Sequence, residues 1–180
     1  MYIWIGIDVD SQLTEIKEKA IAAERRIGFC NSNFTLPLHI SLKISFPIAD
    51  ELFIEVKDDI VAILNEYEAF EIDVCGIELF ENICWIRMHR NLDLDDIHDK
   101  LNKILLEKYG VPLHEYDTDY KFHTTLFMDK DPSKVLDAFN ALHGVEAPSK
   151  LIAERFVIGT SESGALGTYR VVFEYRKSGR

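Results

Sequence analysis

An alternating stretch, LPLHISLKISF at residues 36–46, restricts the fold more than any other part of this sequence. Because successive side chains of a β-strand point to opposite faces, the alternation predicts a strand with one buried face and one polar face. The predicted buried face comprises Leu36, Leu38, Ile40, Leu42 and Ile44. The polar face comprises Pro37, His39, Ser41, Lys43 and Ser45. Solvation alone does not require a histidine, a hydroxyl and an amine in succession, so this face is a candidate functional surface.

The pattern recurs in the second half of the chain, in the stretch YKFHTTLFM at residues 120–128. Alternation places Phe122, Thr124, Leu126 and Met128 on one face of this predicted strand. The opposite face carries Lys121, His123, Thr125 and Phe127. One His-x-hydroxyl pair is common in proteins. Two such pairs, each followed by Leu and each on a predicted strand, indicate a functional pair.

Strand-like and helix-like segments alternate along the chain. Apolar periodicity predicts strands at 2–9, 36–46, 71–79, 83–89, 120–128, 151–159 and 169–175, and helices at 11–27, 50–67, 93–109 and 131–144. The order strand, helix, strand, helix, strand occurs twice and a final strand follows. The fragments WIGI at 4–7 and WIRM at 85–88 begin the two halves. We therefore predict one bilobal domain over residues 1–180, formed by duplication of about 1–80 and 83–161 plus the final strand.

Composition narrows the class of protein. The chain is 47% hydrophobic and 28% charged, which is typical of a globular protein. A net charge of -11 opposes non-specific binding to a long phosphate backbone, so a nucleic-acid partner would have to bind in a local site. The cysteines Cys30, Cys75 and Cys84 form no CxxC pattern, which predicts free thiols in a reducing compartment. The first ten residues lack a basic leader and run into acidic residues. We expect neither a signal peptide nor a membrane span, and a cytoplasmic location.

The motifs HISL at 39–42 and HTTL at 123–126 resemble the paired His-x-[Thr/Ser]-x-hydrophobic motifs of the 2H phosphoesterase superfamily. That superfamily includes LigT-like RNA 2',3'-cyclic phosphodiesterases and 2'-5' RNA ligases. The resemblance covers nearly the whole chain and implies an α+β fold. Two pseudo-symmetric lobes would line a central cleft with antiparallel-rich sheets and carry the helices outside. It further implies that His39 and His123 are the catalytic pair and that Ser41 and Thr125 bind the phosphate.

The chemistry of these residue types agrees with that expectation. Opening a cyclic phosphodiester requires one proton to leave water and one proton to reach the departing sugar oxygen. Imidazole, with an ordinary pKa of about 6.5, serves either role near neutral pH. Hydroxyls two residues along each strand can donate hydrogen bonds to the phosphate oxygens. Lys43 and Lys121 share faces with the histidines and are candidate additional phosphate contacts.

Competing interpretations exist for each residue. Either histidine alone would be assigned a structural role, and a shared metal site would need a third ligand that neither motif strand supplies. The lysines would otherwise protect strand edges. Aromatic side chains at Trp4, Trp85 and Phe127 are candidates for base stacking, although aromatic strand residues more often belong to a core. The other histidines are expected to be incidental, with His98 on a helix surface, His143 at a helix end, and His89 and His114 near element ends.

We therefore predict a metal-independent phosphodiesterase without a cofactor. Its substrate would be a 2',3'-cyclic phosphate or a related small cyclic or oligonucleotide phosphodiester. The expected partner is a small nucleotide or an RNA end carrying a cyclic phosphate, with no DNA duplex and no membrane, and the protein is expected to be a monomer. Two alternatives stay open at this point. One is 2'-5' RNA ligation through the same histidines, and the other is a non-catalytic module that binds nucleotides or RNA ends.

Overall fold

The computed structural model describes residues 1–28 and 32–177, with no side-chain description at 32 and 33. The expectation of a free thiol at Cys30 lies outside the described residues. The described strands are β1 Tyr2–Asp8, β2 His39–Pro47, β3 Phe70–Phe80, β4 Ile83–Met88, β5 His123–Met128, β6 Lys150–Ala153, β7 Arg155–Ser161 and β8 Arg170–Arg176. The α-helices are α1 Thr14–Ile27, α2 Phe53–Leu64, α3 Leu92–Tyr109 and α4 Pro132–Ala141. A short 3-10 turn, Glu115–Asp119, precedes β5.

The strands form two antiparallel four-stranded sheets. Sheet 1 has the order β2-β1-β7-β8, and sheet 2 has the order β5-β4-β3-β6. The predicted α+β fold with two lobes is confirmed. One predicted element is wrong, because 151–159 is not a single strand. The chain is interrupted at Glu154, so that β6 pairs with β3 in sheet 2 while β7 pairs with β1 in sheet 1.

Each sheet contains strands from both halves of the chain. β3, from the first half, pairs with β4, and β7, from the second half, pairs with β1. The registers of these two pairs correspond: Trp4 lies opposite Gly159 in sheet 1, and Trp85 lies opposite Glu78 in sheet 2. The histidine strands β2 and β5 are the edge strands that follow β1 and β4. The internal duplication stays a prediction. Each of the two predicted halves contributes strands to both sheets.

The helices begin and end where local sequence signals place them. The Asn91 side chain accepts hydrogen bonds from the backbone N–H groups of Asp93 and Leu94, and so caps α3. Gly110, at φ 68°, ends that helix in the left-handed region. Asp131 caps α4 in the same way, by accepting from the Ser133 N–H. α4 ends at Ala141, three residues before the predicted end at Gly144.

Alternation in the two histidine strands is interrupted by register shifts. Ile5 lies opposite Lys43 while Gly6 lies opposite Ser41, so β2 contains an extra residue at this point. The predicted faces are therefore wrong beyond Leu42: Lys43 is buried and Ile44 is half-buried. β5 has a matching shift between the partners of Cys84 and Trp85. The predicted polar-face residue Phe127 is fully buried, and its neighbour Met128 is half-buried instead.

The core consists mainly of aliphatic side chains between the sheets and the helices that cover them. From α3 it receives Leu94, Ile97, Leu101 and Leu105, which recur at helical spacing and are essentially inaccessible. Over the part of the chain that the structure describes, no helix is long and apolar enough to cross a membrane.

Candidate active site

The two histidine strands meet at one cavity. It has a volume of about 410 Å³, and both His39 and Ser41 of β2 line it. His123 and Thr125 of β5 line the same cavity. The two register shifts lie beyond these residues, so each His-x-hydroxyl pair stays on one face of its strand. The structure thus brings together all four residues that the motifs single out.

His39 is held in a defined orientation. Its Nδ1 lies 2.8 Å from the Pro37 carbonyl oxygen, and its ring meets the Trp4 ring edge-on at 4.2 Å between centroids. Because a carbonyl oxygen can only accept a hydrogen bond, Nδ1 carries the proton and donates. In the neutral ring Nε2 is then left with its lone pair, which is the state required of a base.

His123 has the same arrangement in the other strand. Its Nδ1 donates to the Lys121 carbonyl oxygen at 2.6 Å. The ring packs against Trp85 at 4.4 Å between centroids with a tilt of 40°. Each histidine therefore bonds to the carbonyl two residues earlier and packs on a tryptophan of the adjacent strand. This repetition leaves both Nε2 atoms free of intramolecular partners among the described residues.

Burial lowers the pKa of both imidazoles. For His39, desolvation outweighs the hydrogen bond to Pro37, and repulsion from a protonated His123 adds to it, so the pKa falls to about 4. Desolvation also lowers the pKa of His123, opposed by the hydrogen bond to Lys121. His39 is consequently neutral near pH 7 when the cavity holds no anion.

The two hydroxyls border the same space but have different partners. Trp4 Nε1 donates a hydrogen bond to Ser41 Oγ at 3.2 Å. The Ser41 hydroxyl keeps its own proton for donation, because it accepts in that contact. Trp85 Nε1, the corresponding atom on β4, is buried and forms no hydrogen bond to Thr125; its contact with the Glu78 carboxylate helps to lower the pKa of that group. The hydroxyl of Thr125 therefore has no equivalent indole contact.

Neither lysine is placed as a free cation beside the two histidines. Lys43 is 2% exposed, and its ammonium forms an ion pair with the buried Asp117 carboxylate. Lys121 does not line the cavity that contains both histidines. Its Nζ lies over the Phe80 ring at 5.1 Å from the centroid, and its nearest carboxylate oxygen, on Asp119, is 3.8 Å away.

The partner of Lys43 anchors the turn that leads into β5. The Asp117 carboxylate also accepts a hydrogen bond from the His114 backbone N–H at 2.6 Å. His98, expected on a helix surface, is instead 3% exposed beside this pair. Its Nδ1 donates to the Leu42 carbonyl at 2.7 Å, and its ring stacks on Tyr120 at 4.3 Å. The expectation was wrong because tertiary packing of α3 against β2 covers a position that its acidic sequence neighbours made look exposed.

Other cavity residues were missed in the sequence. His114, expected to be incidental near an element end, lines the cavity, and so do Tyr116, Tyr120 and Tyr169. The available signal was the pair of tyrosines within an acidic run directly before a motif strand. Among the three aromatic candidates for base stacking, Trp4 and Trp85 contact the histidine rings, whereas Phe127 belongs to the core.

Metal ligands do not cluster in this part of the molecule. Within residues 1–28 and 32–177, no group of three or more His, Cys, Asp or Glu side chains is placed to hold an ion. The site instead offers two imidazoles and two hydroxyls around a space large enough for a small ligand. Such a set can transfer protons and donate hydrogen bonds to an anion.

Comparison with known proteins identifies the family. Residues 12–165 match the model of the 2'-5' RNA ligase superfamily. Among solved structures, TT0787 of Thermus thermophilus is similar with a TM-score of 0.60 and 16% identity, covering 98% of this chain and 97% of that one. E. coli LigT complexed with 3'-AMP is similar with a TM-score of 0.58 and 14% identity, covering 98% of both chains. LigT complexed with ATP gives a TM-score of 0.55 at 15% identity, covering 99% of this chain and 98% of that chain. No curated protein sequence matches significantly.

Proposed function

We propose, from the premise that this chain belongs to the 2'-5' RNA ligase superfamily, that it is a phosphodiesterase acting on 2',3'-cyclic phosphates. Small cyclic or oligonucleotide phosphodiesters of related chemistry are included. Catalysis would use His39 and His123 without a metal ion or cofactor. The carrying observation is the matched pair of imidazoles, each with Nδ1 bound to a backbone carbonyl and a hydroxyl two residues later in one cavity. The solved structure of E. coli LigT in complex with 3'-AMP, a nucleotide with a terminal phosphate, supports this choice.

The reaction requires two proton transfers on opposite sides of phosphorus. The neutral Nε2 of one imidazole takes a proton from water as the water oxygen forms a bond to phosphorus. The bond from phosphorus to one bridging sugar oxygen breaks, and the protonated Nε2 of the other imidazole supplies a proton to that oxygen. The product is a nucleoside monophosphate with one water added, and the histidines exchange protonation states. Ser41 and Thr125 would donate hydrogen bonds to the non-bridging oxygens, where negative charge accumulates.

We assign His39 as the base and His123 as the acid. Burial lowers the pKa of both rings, but only for His39, whose pKa falls to about 4, does the positive charge of the other histidine add to the effect. A bound phosphate raises the pKa of both rings because it favours their charged forms. The hydrogen bonds from His39 to the Pro37 carbonyl and from His123 to the Lys121 carbonyl favour the cationic form of both rings alike.

RNA ligation is the second candidate, favoured by the description of the matching family. It is the reverse of phosphodiester cleavage, with a hydroxyl of a second RNA attacking in place of water. The same imidazoles would keep their roles, since the base takes the proton of that hydroxyl and the acid protonates the released sugar oxygen. A site that binds nucleotides without turnover is the third candidate, and it differs from both in giving no product.

The experiment is a substrate screen of the purified protein. We would incubate it with 2',3'-cyclic mononucleotides, with 2'-5' dinucleotides, and with two RNA fragments bearing a cyclic phosphate and a 5'-hydroxyl. Chromatography distinguishes monophosphate products from ligated RNA. EDTA is included in parallel reactions, since proton transfer by imidazole requires no metal. Loss of activity in EDTA that a divalent ion restores would contradict the metal-free mechanism.

His39→Ala and His123→Ala should each lower kcat by about 100-fold or more, because a positioned acid or base supplies that much. His143→Ala is the matched control, since His143 is exposed outside the cavity. Circular dichroism should show that all three variants fold. Near-normal turnover in either motif variant would exclude two-histidine catalysis, and saturable binding without product in the native protein would favour the binding module.

A further inference from the structure

A second space adjoins the catalytic cavity on the sheet 2 side. This side groove has a volume of about 320 Å³, and Phe80, Trp85 and Lys121 line it. His123 and Tyr120 line both the side groove and the catalytic cavity. A ligand held at His123 therefore lies at the entrance of both spaces. The volume falls within the range of pockets that hold small organic groups.

Stacked aromatic rings form one wall of the side groove. The Phe80 ring is parallel to the Trp85 ring, at 4.9 Å between centroids and an angle of 6°. Trp85 in turn contacts the His123 ring. Phe80 is 41% exposed, although it is a large apolar residue. It is the last residue of β3 and pairs with Ile83 across a two-residue turn, so its backbone position is defined by the sheet.

A cation stands beside the exposed aromatic ring. Lys121 Nζ lies 5.1 Å from the Phe80 centroid, and its ion pair with Asp119 is long, at 3.8 Å, between half-exposed and exposed side chains. Exposed pairs of this kind contribute little to stability, so Lys121 is free to turn towards a phosphate. An aromatic ring with a cation next to it is the usual arrangement for binding single-stranded nucleic acid.

Sheet 1 has no such wall at the matching position. In sheet 1, Ser161 of β7 lies opposite Tyr2 of β1. It occupies the position that corresponds to Phe80 in sheet 2, which lies opposite Ile83 of β4. Ser161 is 4% exposed, and its hydroxyl is hydrogen-bonded to Thr168 Oγ1 at 2.5 Å. The two sides of the catalytic cavity are therefore different, and an elongated ligand is accommodated on the sheet 2 side.

We propose that the side groove binds the base of the nucleotide that precedes a cyclic-phosphate end. The base stacks on Phe80, and Lys121 contacts the phosphate that links it to the terminal nucleotide. This inference rests on the proposed function, since it takes the terminal phosphate to lie between His39 and His123. It assigns the substrate class as an oligonucleotide end, in preference to a free mononucleotide. Among the described residues Lys121 is the one Lys or Arg side chain that lines the groove, and the carboxylates of Glu81, Glu115 and Asp119 line it as well. This balance of charge favours contact with a single phosphate over a long backbone.

The test compares substrates of two lengths. For the native protein we expect kcat/KM to be higher for a dinucleotide ending in a 2',3'-cyclic phosphate than for the corresponding cyclic mononucleotide. Phe80→Ala should lower the ratio of the two kcat/KM values by about 5- to 100-fold, the usual effect of losing one base–aromatic stack. Phe80→Tyr should leave the ratio of the two kcat/KM values unchanged. Phe80→Leu should lower this ratio, although leucine still covers Trp85 with an apolar group.

Leu79→Ala is the matched control. Leu79 is the neighbouring residue of β3, is 36% exposed, and does not line the side groove. The Leu79→Ala variant should show the same ratio of the two kcat/KM values as the native protein. Equal losses on both substrates in Phe80→Ala would show that Phe80 merely supports Trp85 and would overturn the proposal. A native protein without preference for the dinucleotide would also overturn it.

A binding measurement separates this proposal from the proposed function. If no substrate is turned over, the proposed function fails, and the groove is tested alone by fluorescence anisotropy with a labelled dinucleotide ending in a 3'-phosphate. Weakening of Kd by about 5- to 100-fold in Phe80→Ala, and not in Leu79→Ala, supports the groove. An unchanged Kd in Phe80→Ala overturns it.

Discussion

The two histidine strands have nearly the same chemistry but different surroundings. In both β2 and β5 the imidazole Nδ1 donates to the carbonyl two residues earlier, and the ring packs on a tryptophan of the adjacent strand. The tryptophans differ in what lies beside them. Opposite Trp4 lies Gly159, whereas opposite Trp85 lies Glu78. Two residues after Trp4 comes Gly6, whereas two residues after Trp85 comes Arg87, which forms an ion pair with Glu78.

This difference makes the surroundings of a nearly symmetric pair of histidines asymmetric. A Cβ on Gly159 would lie 2.6 Å from Trp4 Cε3, so the indole lies directly on the backbone of sheet 1. Trp85 is instead covered by Phe80, whose ring extends the aromatic surface away from His123. On the sheet 2 side the cavity adjoins the side groove.

The largest difference in stability is expected four residues after each histidine. Lys43 is buried with Asp117 in β2, whereas the corresponding residue of β5, Phe127, is a fully buried phenyl ring. Lys43→Met should reduce the free energy of unfolding by about 3–5 kcal/mol, because it leaves the Asp117 carboxylate buried without its ion-pair partner. Urea denaturation measures this change.

Lys19→Met is the control for that substitution. Lys19 forms an exposed ion pair with Glu15 on α1, and its loss should change stability by less than about 1 kcal/mol. The double variant Lys43→Met with Asp117→Asn should recover part of the loss, because no buried charge remains. A loss in Lys43→Met no larger than in Lys19→Met would show that the buried pair is not needed.

Acid should distinguish His39 from an ordinary surface histidine. The folded-state pKa is about 4 and the unfolded value is about 6.5, so below pH 6.5 the unfolded chain binds a proton that the folded chain does not. The contribution of His39 to stability should decline as pH falls from about 6.5 to about 4, by at most about 3 kcal/mol.

The measurement is the free energy of unfolding of the native protein and of His39→Ala at several pH values. Subtracting one free energy of unfolding from the other removes the contribution of the carboxylates that titrate in the same pH range, because both proteins contain them. It should change between about pH 6.5 and 4 and be constant above about pH 7.5. An unchanging difference across the whole range would mean that His39 titrates normally.

The close contact of Trp4 with sheet 1 is tested by adding a single methyl group. Gly159→Ala should lower the free energy of unfolding by about 1–3 kcal/mol, since the new Cβ would also lie 3.1 Å from the Arg170 carbonyl oxygen. Glu78→Ala is the equivalent change in sheet 2. It should lower stability by less than about 1 kcal/mol, because both side chains of the Glu78–Arg87 pair are more than a third exposed and water screens their interaction. Equal thermal stability in these two variants would contradict the difference between the sheets.

The smallest effects concern the two hydroxyls. Ser41→Ala and Thr125→Ala should each lower kcat about tenfold, the worth of one hydrogen bond to a charged oxygen. They should differ in stability, because Ser41 Oγ also accepts from Trp4 Nε1. Its loss leaves an indole N–H unpaired and should cost about 1 kcal/mol, which thermal denaturation can detect. Identical melting temperatures for the two variants would remove this distinction.

Local sequence was sufficient for the main elements and for the four central site residues. The alternation around His39 and His123 places each hydroxyl on the face of its histidine, because two residues separate them and a strand has a period of two. Capping residues such as Asn91 and Asp131 define helix starts through contacts within three residues. These features depend on neighbours in the chain, so the sequence contains them.

Features that depend on distant residues were determined by the tertiary structure. The register shifts that bury Lys43 and Phe127 arise from pairing with β1 and β4, which no pattern within β2 or β5 reveals. The division of 151–159 between two sheets follows from partners far away along the chain, β3 and β1.

The sequence by itself therefore determined which four side chains meet in the cavity, and the tertiary structure decided whether the neighbouring lysines are free or paired. Lys43 looked like a phosphate ligand on an alternating strand, but Asp117, from the turn before the other motif strand, pairs with it in the core. Phe80 showed no signal in the sequence and stands in the groove because the β3–β4 hairpin places it beside Trp85. The physical reason is the range of the forces involved: local hydrogen bonds and periodicity act within a few residues, whereas burial and ion pairing depend on which segments pack together.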